Sequence, residues 1–363
     1  KKTALFLFSR KTDDKELEAF LEEHGSLVPK RYSYTDIKKM THYFKEKLGH
    51  GGYGEVYRGN LFDKRPVAIK VLSMTKGNGE EFINEVVSIS KTSHVNVVNL
   101  VGFCLDGRKR ALVYEFMPNG SLEKYIHHDS KSYLGLERLH EIAIGIGRGL
   151  EYLHGGCNTR ILHLDIKPHN ILLDEEYCPK ISDFGLAKLC ARKESVVSMS
   201  GARGTIGYIA PEVFSRNFGG VSYKSDVYSY GMMILEMAGG RKNAINVQLS
   251  NSSEAYFPDW LYDRVLIDED LKLHGHTMTK EENDIARKMI LVGLWCIQTN
   301  PSHRPKMSKV IDMLEGSLMS LEVPPKPFFS SPSRSEGGSL EMTLLPQTIL
   351  PTSSSSPADS GTR

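Results

Sequence analysis

His163-Leu164-Asp165-Ile166-Lys167-Pro168-His169-Asn170, followed by Asp183-Phe184-Gly185, is the stretch of this 363-residue chain from which the rest is read. It holds a carboxylate, an ammonium two residues later, an amide and a second carboxylate. Those residue types handle phosphate. A carboxylate takes a hydroxyl proton, a cation meets negative charge as it develops, and oxygen donors hold a hard divalent cation.

Upstream, Leu48-Gly49-His50-Gly51-Gly52-Tyr53-Gly54-Glu55-Val56 contains Gly-x-Gly-x-x-Gly. Dinucleotide-binding proteins use the same spacing, but there the loop opens a helix whose N-terminus faces a pyrophosphate. Here Glu55-Val56-Tyr57-Arg58-Gly59 continues as strand. The spacing therefore predicts a glycine-rich hairpin whose backbone N–H groups close over nucleotide phosphates, with no Cβ in the way. Lys70 ends the apolar run Val67-Ala68-Ile69, where a lone ammonium is expensive to bury. It needs anions, and Glu85 on the next predicted helix is the expected partner.

The composition is that of a soluble globular chain, long enough for two lobes plus tails. Acids and bases nearly cancel to a net charge of +2, which gives no nucleic-acid footprint. Five scattered cysteines form no Cys-x-x-Cys pair and fit a reducing, cytosolic compartment. No run reaches the roughly 18 apolar residues of a membrane span. The chain opens at Lys1 rather than Met, and Lys1, Lys2, Arg10 and Lys11 suit the cytoplasmic flank of a membrane helix upstream. Any membrane attachment is expected only through such a segment.

Residues 1–43 read as a leader. Residues 13–24 place Leu17, Phe20 and Leu21 on one helical face and stop at Gly25. A second helix starts near Thr35, with Ile37, Met40 and Phe44 at helical spacing; for both helices, docking on the next domain and a solvated linker are open. Strand chemistry runs from 48 to 72, and a helix over 80–91 points Phe82, Val86 and Ile89 inward. More strands fill 100–116, turning near Asp106-Gly107. A mostly helical region then runs to about 318. Residues 323–363 are rich in Ser and Pro and are expected to be disordered, with Pro324-Pro325-Lys326-Pro327 offering a short extended helix. The 241–280 stretch carries no readable motif.

Taken together, these motifs resemble the eukaryotic protein-kinase family over about residues 44–322. They stand in family order: Gly49 to Val56, Val67 to Lys70, Glu85, His163 to Asn170, Asp183 to Gly185, Ala210-Pro211-Glu212, Asp226 and Arg304. Finer wording, such as Leu112-Val113-Tyr114-Glu115-Phe116 and Ser225-Asp226-Val227-Tyr228-Ser229-Tyr230-Gly231, is similar to plant receptor-like kinases. Pro29-Lys30-Arg31-Tyr32-Ser33-Tyr34 and the 163–170 loop look like the leaf-rust-resistance-kinase-like subgroup.

The resemblance implies an α+β, bilobal fold, with a small antiparallel β lobe carrying one main helix (44–117) and a larger, mostly helical lobe (118–322). ATP would lie between them under the 48–56 loop. Val56, Ala68 and Leu172 would sandwich the adenine, Tyr114 would stand behind it, and the backbone of Glu115 and Met117 would bond its edge. Lys70, paired with Glu85, would hold the phosphates. Asp165 would accept the substrate proton, and Asn170 and Asp183 would bind Mg²⁺, with Mn²⁺ as a substitute. Leu100, Ile89, Phe184 and His163 match an apolar spine. Lys167 and Gly204-Thr205-x-Gly207-Tyr208 point to serine/threonine specificity. Glu212, Arg304 and Asp226 would be structural.

Leu164 departs from the family pattern, which has Arg before the catalytic Asp to grip a phosphorylated loop. Activity is therefore expected to depend little on that switch, although Ser195, Ser198, Ser200 and Thr205 are available acceptors. The implied function is an active kinase acting on protein substrates, in defence-type signalling at the cytosolic face of the plasma membrane. A receptor partner or self-association is compatible with it. The alternatives are a nucleotide-binding scaffold, which usually loses Lys70, Asp165 or Asp183, and a dual-specificity kinase.

Overall fold

The computed structural model describes residues 29–51, 54–72, 80–126, 131–191, 196–197, 203–239, 257–267, 271, 273 and 278–326. The predicted helix at 13–24, most of the tail with Pro327, residues 241–256, 268–270, 272 and 274–277 of the 241–280 stretch, and Gly52, Tyr53, Ser195, Ser198 and Ser200 lie outside them.

A two-residue strand β1 (Lys30–Arg31) and a helix α1 (Tyr34–Met40) lead into β2 (Lys47–Gly51), β3 (Gly54–Asn60) and β4 (Pro66–Leu72). Helix α2 (Glu80–Ile89) follows, then β5 (Leu100–Asp106) and β6 (Lys109–Glu115). The sheet order is β1-β5-β6-β4-β3-β2. Five strands run antiparallel as expected, whereas β1 joins β5 in parallel, so the sheet is mixed at that edge.

Period-two alternation sorts this sheet into two faces. Val67, Ile69, Ala111 and Val113 pack with Tyr32, Ile37 and Met40. Phe103, Leu105, Leu112 and Tyr114 pack on the other side with Phe82, Val86 and Ile89 of α2. The second leader helix is thus docked: Ile37 is 0% exposed and Met40 2%. Each such burial contributes roughly 1.5–3 kcal/mol. Ser33 starts α1 with a capping box, accepting from Asp36 N while Asp36 Oδ2 accepts from Ser33 N.

Past α1 the chain makes a left-handed turn. His42, Tyr43 and Phe44 have φ of 49°, 60° and 64°. Three consecutive non-glycine residues there cost about 1–2 kcal/mol each. The turn persists because Tyr43 N bonds Lys38 O (2.7 Å), Phe44 N bonds Thr41 Oγ1 (3.1 Å), and the Phe44 ring packs on Tyr57 at 5.2 Å. Phe44 therefore leaves the helical face predicted for it and reaches the sheet through this turn.

The larger lobe is built on α3 (Gly135–Glu151), a short helix α4 (Pro211–Phe214), α5 (Tyr223–Gly239), α6 (Phe257–Ile267), α7 (Lys280–Cys296) and α8 (Met307–Glu315). Every residue of α5 from Ser225 to Gly239 is buried. A helix buried on all sides belongs in a core, and α5 is the post around which α3, α6 and α7 pack, with α8 lying on α3 and α7. Short strands β7 (Gly120–Ser121), β8 (Arg160–Leu162), β9 (Ile171–Leu173), β10 (Pro179–Ile181) and β11 (Lys188–Cys190) form two small sheets, β10-β9-β7 and β11-β8. They fix both flanks of the 163–170 loop.

Candidate active site

The glycine-rich stretch is a hairpin, with Gly49 opposite Val56, His50 opposite Glu55 and Gly51 opposite Gly54. No helix follows it, which removes the dinucleotide reading. A Cβ on Gly54 would lie 2.2 Å from the carbonyl oxygen of Val71, so only glycine lets β3 approach β4 there. Glu55 accepts from Lys47 and from the Tyr57 hydroxyl (2.6 Å). Leu48 is exposed, while Ala68 stands opposite Tyr114 and Val56 opposite Lys70. Val56, Ala68, Lys70 and Tyr114 therefore share one face of the sheet. Leu172, on β9, stands opposite Ser121 and Lys180. Met117 is buried just after β6, and Glu115 Oε1 accepts from Asn99 N at 2.8 Å.

Lys70 donates to Glu85 at 2.9 Å and to Asp183 at 2.6 Å. Burial works against its ammonium, but the Asp183 and Glu85 carboxylates outweigh that and hold it above the ordinary lysine value. Burial pushes the Glu85 carboxyl up, with Lys70 opposing. Burial likewise works to raise Asp183, and there Lys70 prevails and the carboxyl sits below its ordinary value. The Tyr114 hydroxyl donates to Glu85 Oε1. Burial first, and then Glu85, hold that phenol well above its usual value, so it stays a donor. The sequence reading placed Tyr114 behind the adenine and missed this bond.

In the loop, Asp165 Oδ2 accepts from Lys167 (2.8 Å) and from Asn170 Nδ2 (2.9 Å). Asp165 Oδ1 accepts from Thr205 Oγ1 (2.7 Å), which itself accepts from Lys167 (2.7 Å). Thr205, read from sequence as a phosphoacceptor, thus has its hydroxyl engaged by the other two. Asn170 donates through Nδ2, which leaves its amide oxygen as a hard donor of the same class as the Asp183 carboxylate. That pair of oxygens suits a divalent cation shared with phosphates, which needs only one or two protein ligands. Asp183 has φ 66° and Leu164 φ 63°, left-handed conformations of the kind stored at functional sites.

Supporting contacts come from the core. Asp226 accepts from the backbone N–H of His163 (2.9 Å) and Leu164 (2.7 Å), and bonds His154 Nε2 (2.9 Å). His154 sits in a single π-helical turn, Tyr152–Gly156, a distortion the sequence does not announce. His163 and Phe184 pack edge-to-face at 4.8 Å, and Phe184, Ile89 and Leu100 are buried in one cluster. Arg304 forks onto Glu212 at 2.7 and 2.8 Å, both side chains fully buried. Leu164 lies in an apolar cluster with Leu162, Cys190 and Val221, joined by Val197. Val197 N bonds Val221 O at 2.8 Å.

A family model described as protein tyrosine and serine/threonine kinase matches residues 42–314. Among curated relatives, the chain is 59% identical over 315 residues to a PR5-like receptor kinase of Arabidopsis thaliana, covering 86% of this chain and 47% of that protein. It is 56% identical over 319 residues to the rust resistance kinase Lr10 of Triticum aestivum, covering 87% and 50%. A leaf rust 10 disease-resistance locus receptor-like protein kinase-like 2.1 of Arabidopsis thaliana is 57% identical over 304 residues, covering 84% and 48%. The chain spans about half the length of these relatives. With the two-lobed architecture, the glycine hairpin, and the Lys70, Asp165 and Asp183 clusters, the match shows that this chain belongs to the protein kinase family.

Proposed function

We propose that this chain is the kinase portion of a plant receptor-like protein and moves the γ-phosphoryl group of ATP to serine or threonine hydroxyls of a protein substrate. Lys70 contacts the α- and β-phosphates while Glu85 and Tyr114 orient it. Val56, Ala68 and Leu172 enclose the adenine, with the 48–56 hairpin over the phosphates. Asn170 and Asp183 would hold Mg²⁺, which would neutralise phosphate charge. The substrate hydroxyl gives its proton to Asp165 as its oxygen bonds phosphorus, and the bridging oxygen leaves with ADP. Lys167 offsets charge on the transferred group. The observation that carries this reading is the shared carboxylate of Asp165, held by Lys167, Asn170 and Thr205 at 2.7–2.9 Å.

Serine/threonine rather than tyrosine specificity rests on Lys167 and Thr205. Placement at the cytosolic face of the plasma membrane rests on the receptor-like names of the relatives, since no helix among the described residues is long and apolar enough to cross a membrane. Independence from a loop phosphate rests on Leu164, whose buried apolar surroundings leave no place for the arginine that would grip one.

The test is incubation of purified chain with Mg²⁺ and labelled ATP beside Asp165→Asn, with modified residues identified by mass spectrometry. Phosphoserine or phosphothreonine that vanishes in the variant is expected. Phosphotyrosine in addition would make the enzyme dual-specific. Bound nucleotide without transfer would replace the enzyme by a scaffold.

A further inference from the structure

A groove of ≈ 410 Å³ opens on the small lobe, on the face of the sheet opposite Lys70. Met40 and Leu61, 2% and 7% exposed, lie at its base, Phe62 stands at its side 63% exposed, and Lys39, His42, Asn60 and Lys64 complete the lining. The left-handed turn at 42–44 aims His42 at this groove and leaves the neighbouring Tyr43 ring 75% exposed. Neither Lys39 nor Lys64 makes an ion pair among the described residues. Asp63, the acid beside Lys64, is taken by Arg65 at 2.9 Å. The groove therefore sets the exposed Phe62 ring between two cationic edges, Lys39 partly offset by Asp36 and Lys64 without an ion pair among the described residues, and it fits an acidic amphipathic segment.

The chain carries such a segment close by. Residues 13–24 hold Asp13, Asp14, Glu16, Glu18, Glu22 and Glu23 against the single Lys15, with Leu17, Phe20 and Leu21 on one helical face. Four residues, 25–28, connect them to Pro29 and can extend about 14 Å. Pro29 stands four residues before Ser33, ahead of β1, and the groove lies at the far end of α1, about 10 Å along that helix from Ser33. A tether this short keeps residues 13–24 beside the small lobe of their own chain, which favours a contact within one chain over one between chains.

We propose that this groove is the docking site for residues 13–24 of the same chain, with Phe20 and Leu21 on Met40, Leu61 and Phe62 and the carboxylates against Lys39 and Lys64. Docking there fastens the leader to the outer face of the small lobe, clear of the nucleotide side. It stands independently of the catalytic reading.

Zero-length carbodiimide cross-linking tests it, using the full chain mixed equally in ordinary and ¹⁵N-labelled form at low micromolar concentration. Links from Glu18, Glu22 or Glu23 to Lys39 or Lys64, within one chain, are expected. They should fall at least fivefold in Phe62→Ser, an exposed position whose change leaves the fold intact by thermal melting. Lys39→Glu with Lys64→Glu should abolish them, and adding Glu18→Lys with Glu22→Lys should restore links of reversed polarity. Absence of these links, links between labelled and unlabelled chains, or intrachain links indifferent to Phe62→Ser would each overturn the proposal.

Discussion

The segment between Gly185 and Glu212 is fastened by opposite chemistry at two places. At its end, Glu212 meets Arg304 through two charge-assisted hydrogen bonds with both side chains fully buried. Ser225 Oγ also donates to Glu212 Oε1 (2.7 Å), and Arg304 donates on to the carbonyls of Gln298 (2.7 Å) and Lys224 (2.9 Å). In its middle, Val197 and Cys190 rest on the aliphatic side chains of Leu162, Leu164 and Val221. The charged fastening is geometrically exacting and depends on both partners. The apolar one rests on burial of aliphatic side chains rather than on a charged pair, so its strength should depend little on salt.

Removing a partner breaks the first fastening most severely. Arg304→Ala leaves a buried carboxylate uncompensated and should cost about 3–5 kcal/mol, read from the urea midpoint. A loss under about 1 kcal/mol would put this pair with exposed ones. Leu164→Ala should cost less, about 2 kcal/mol, the low end for a leucine deletion because one side of the cluster is only partly buried Val197. Its cost should not change between low and high salt; a salt-dependent cost would mean that charge holds the middle too.

The finest distinction lies among the hydroxyls. Thr205→Ala removes the donor to Asp165 Oδ1 and should lower turnover roughly tenfold at nearly unchanged stability, a loss of about 1.4 kcal/mol in the transition state. Ser195, Ser198 and Ser200 changed together to Ala should leave turnover within about twofold. A large loss in the triple variant, with Thr205 intact, would show that a loop phosphate matters despite Leu164.

Much of this was legible because the site residues come in short, ordered motifs whose chemistry is local. Asp165, Lys167 and Asn170 are two to five residues apart, and the structure brings them to one carboxylate. The inward face of α2 was likewise readable from 3.6-residue periodicity at Phe82, Val86 and Ile89. What stayed hidden depends on contacts between distant segments. Nothing in Lys30-Arg31 announces a parallel strand, since its pairing is decided by β5 some seventy residues away. Ile37 and Met40 advertised an apolar face without saying what would cover it. The Tyr114–Glu85 bond and the role of Thr205 also join segments that sequence spacing cannot relate.

Helix α5 gives the catalytic loop its rank in the molecule's hierarchy of local openings. Asp226 lies on a helix buried from Ser225 to Gly239, and it takes the amide protons of His163 and Leu164 for itself. Those two amides can exchange with solvent only when the centre of the large lobe comes apart. The start of the 163–170 loop, next to Asp165, thus shares the lifetime of the core, and larger motions are left to the elements around it.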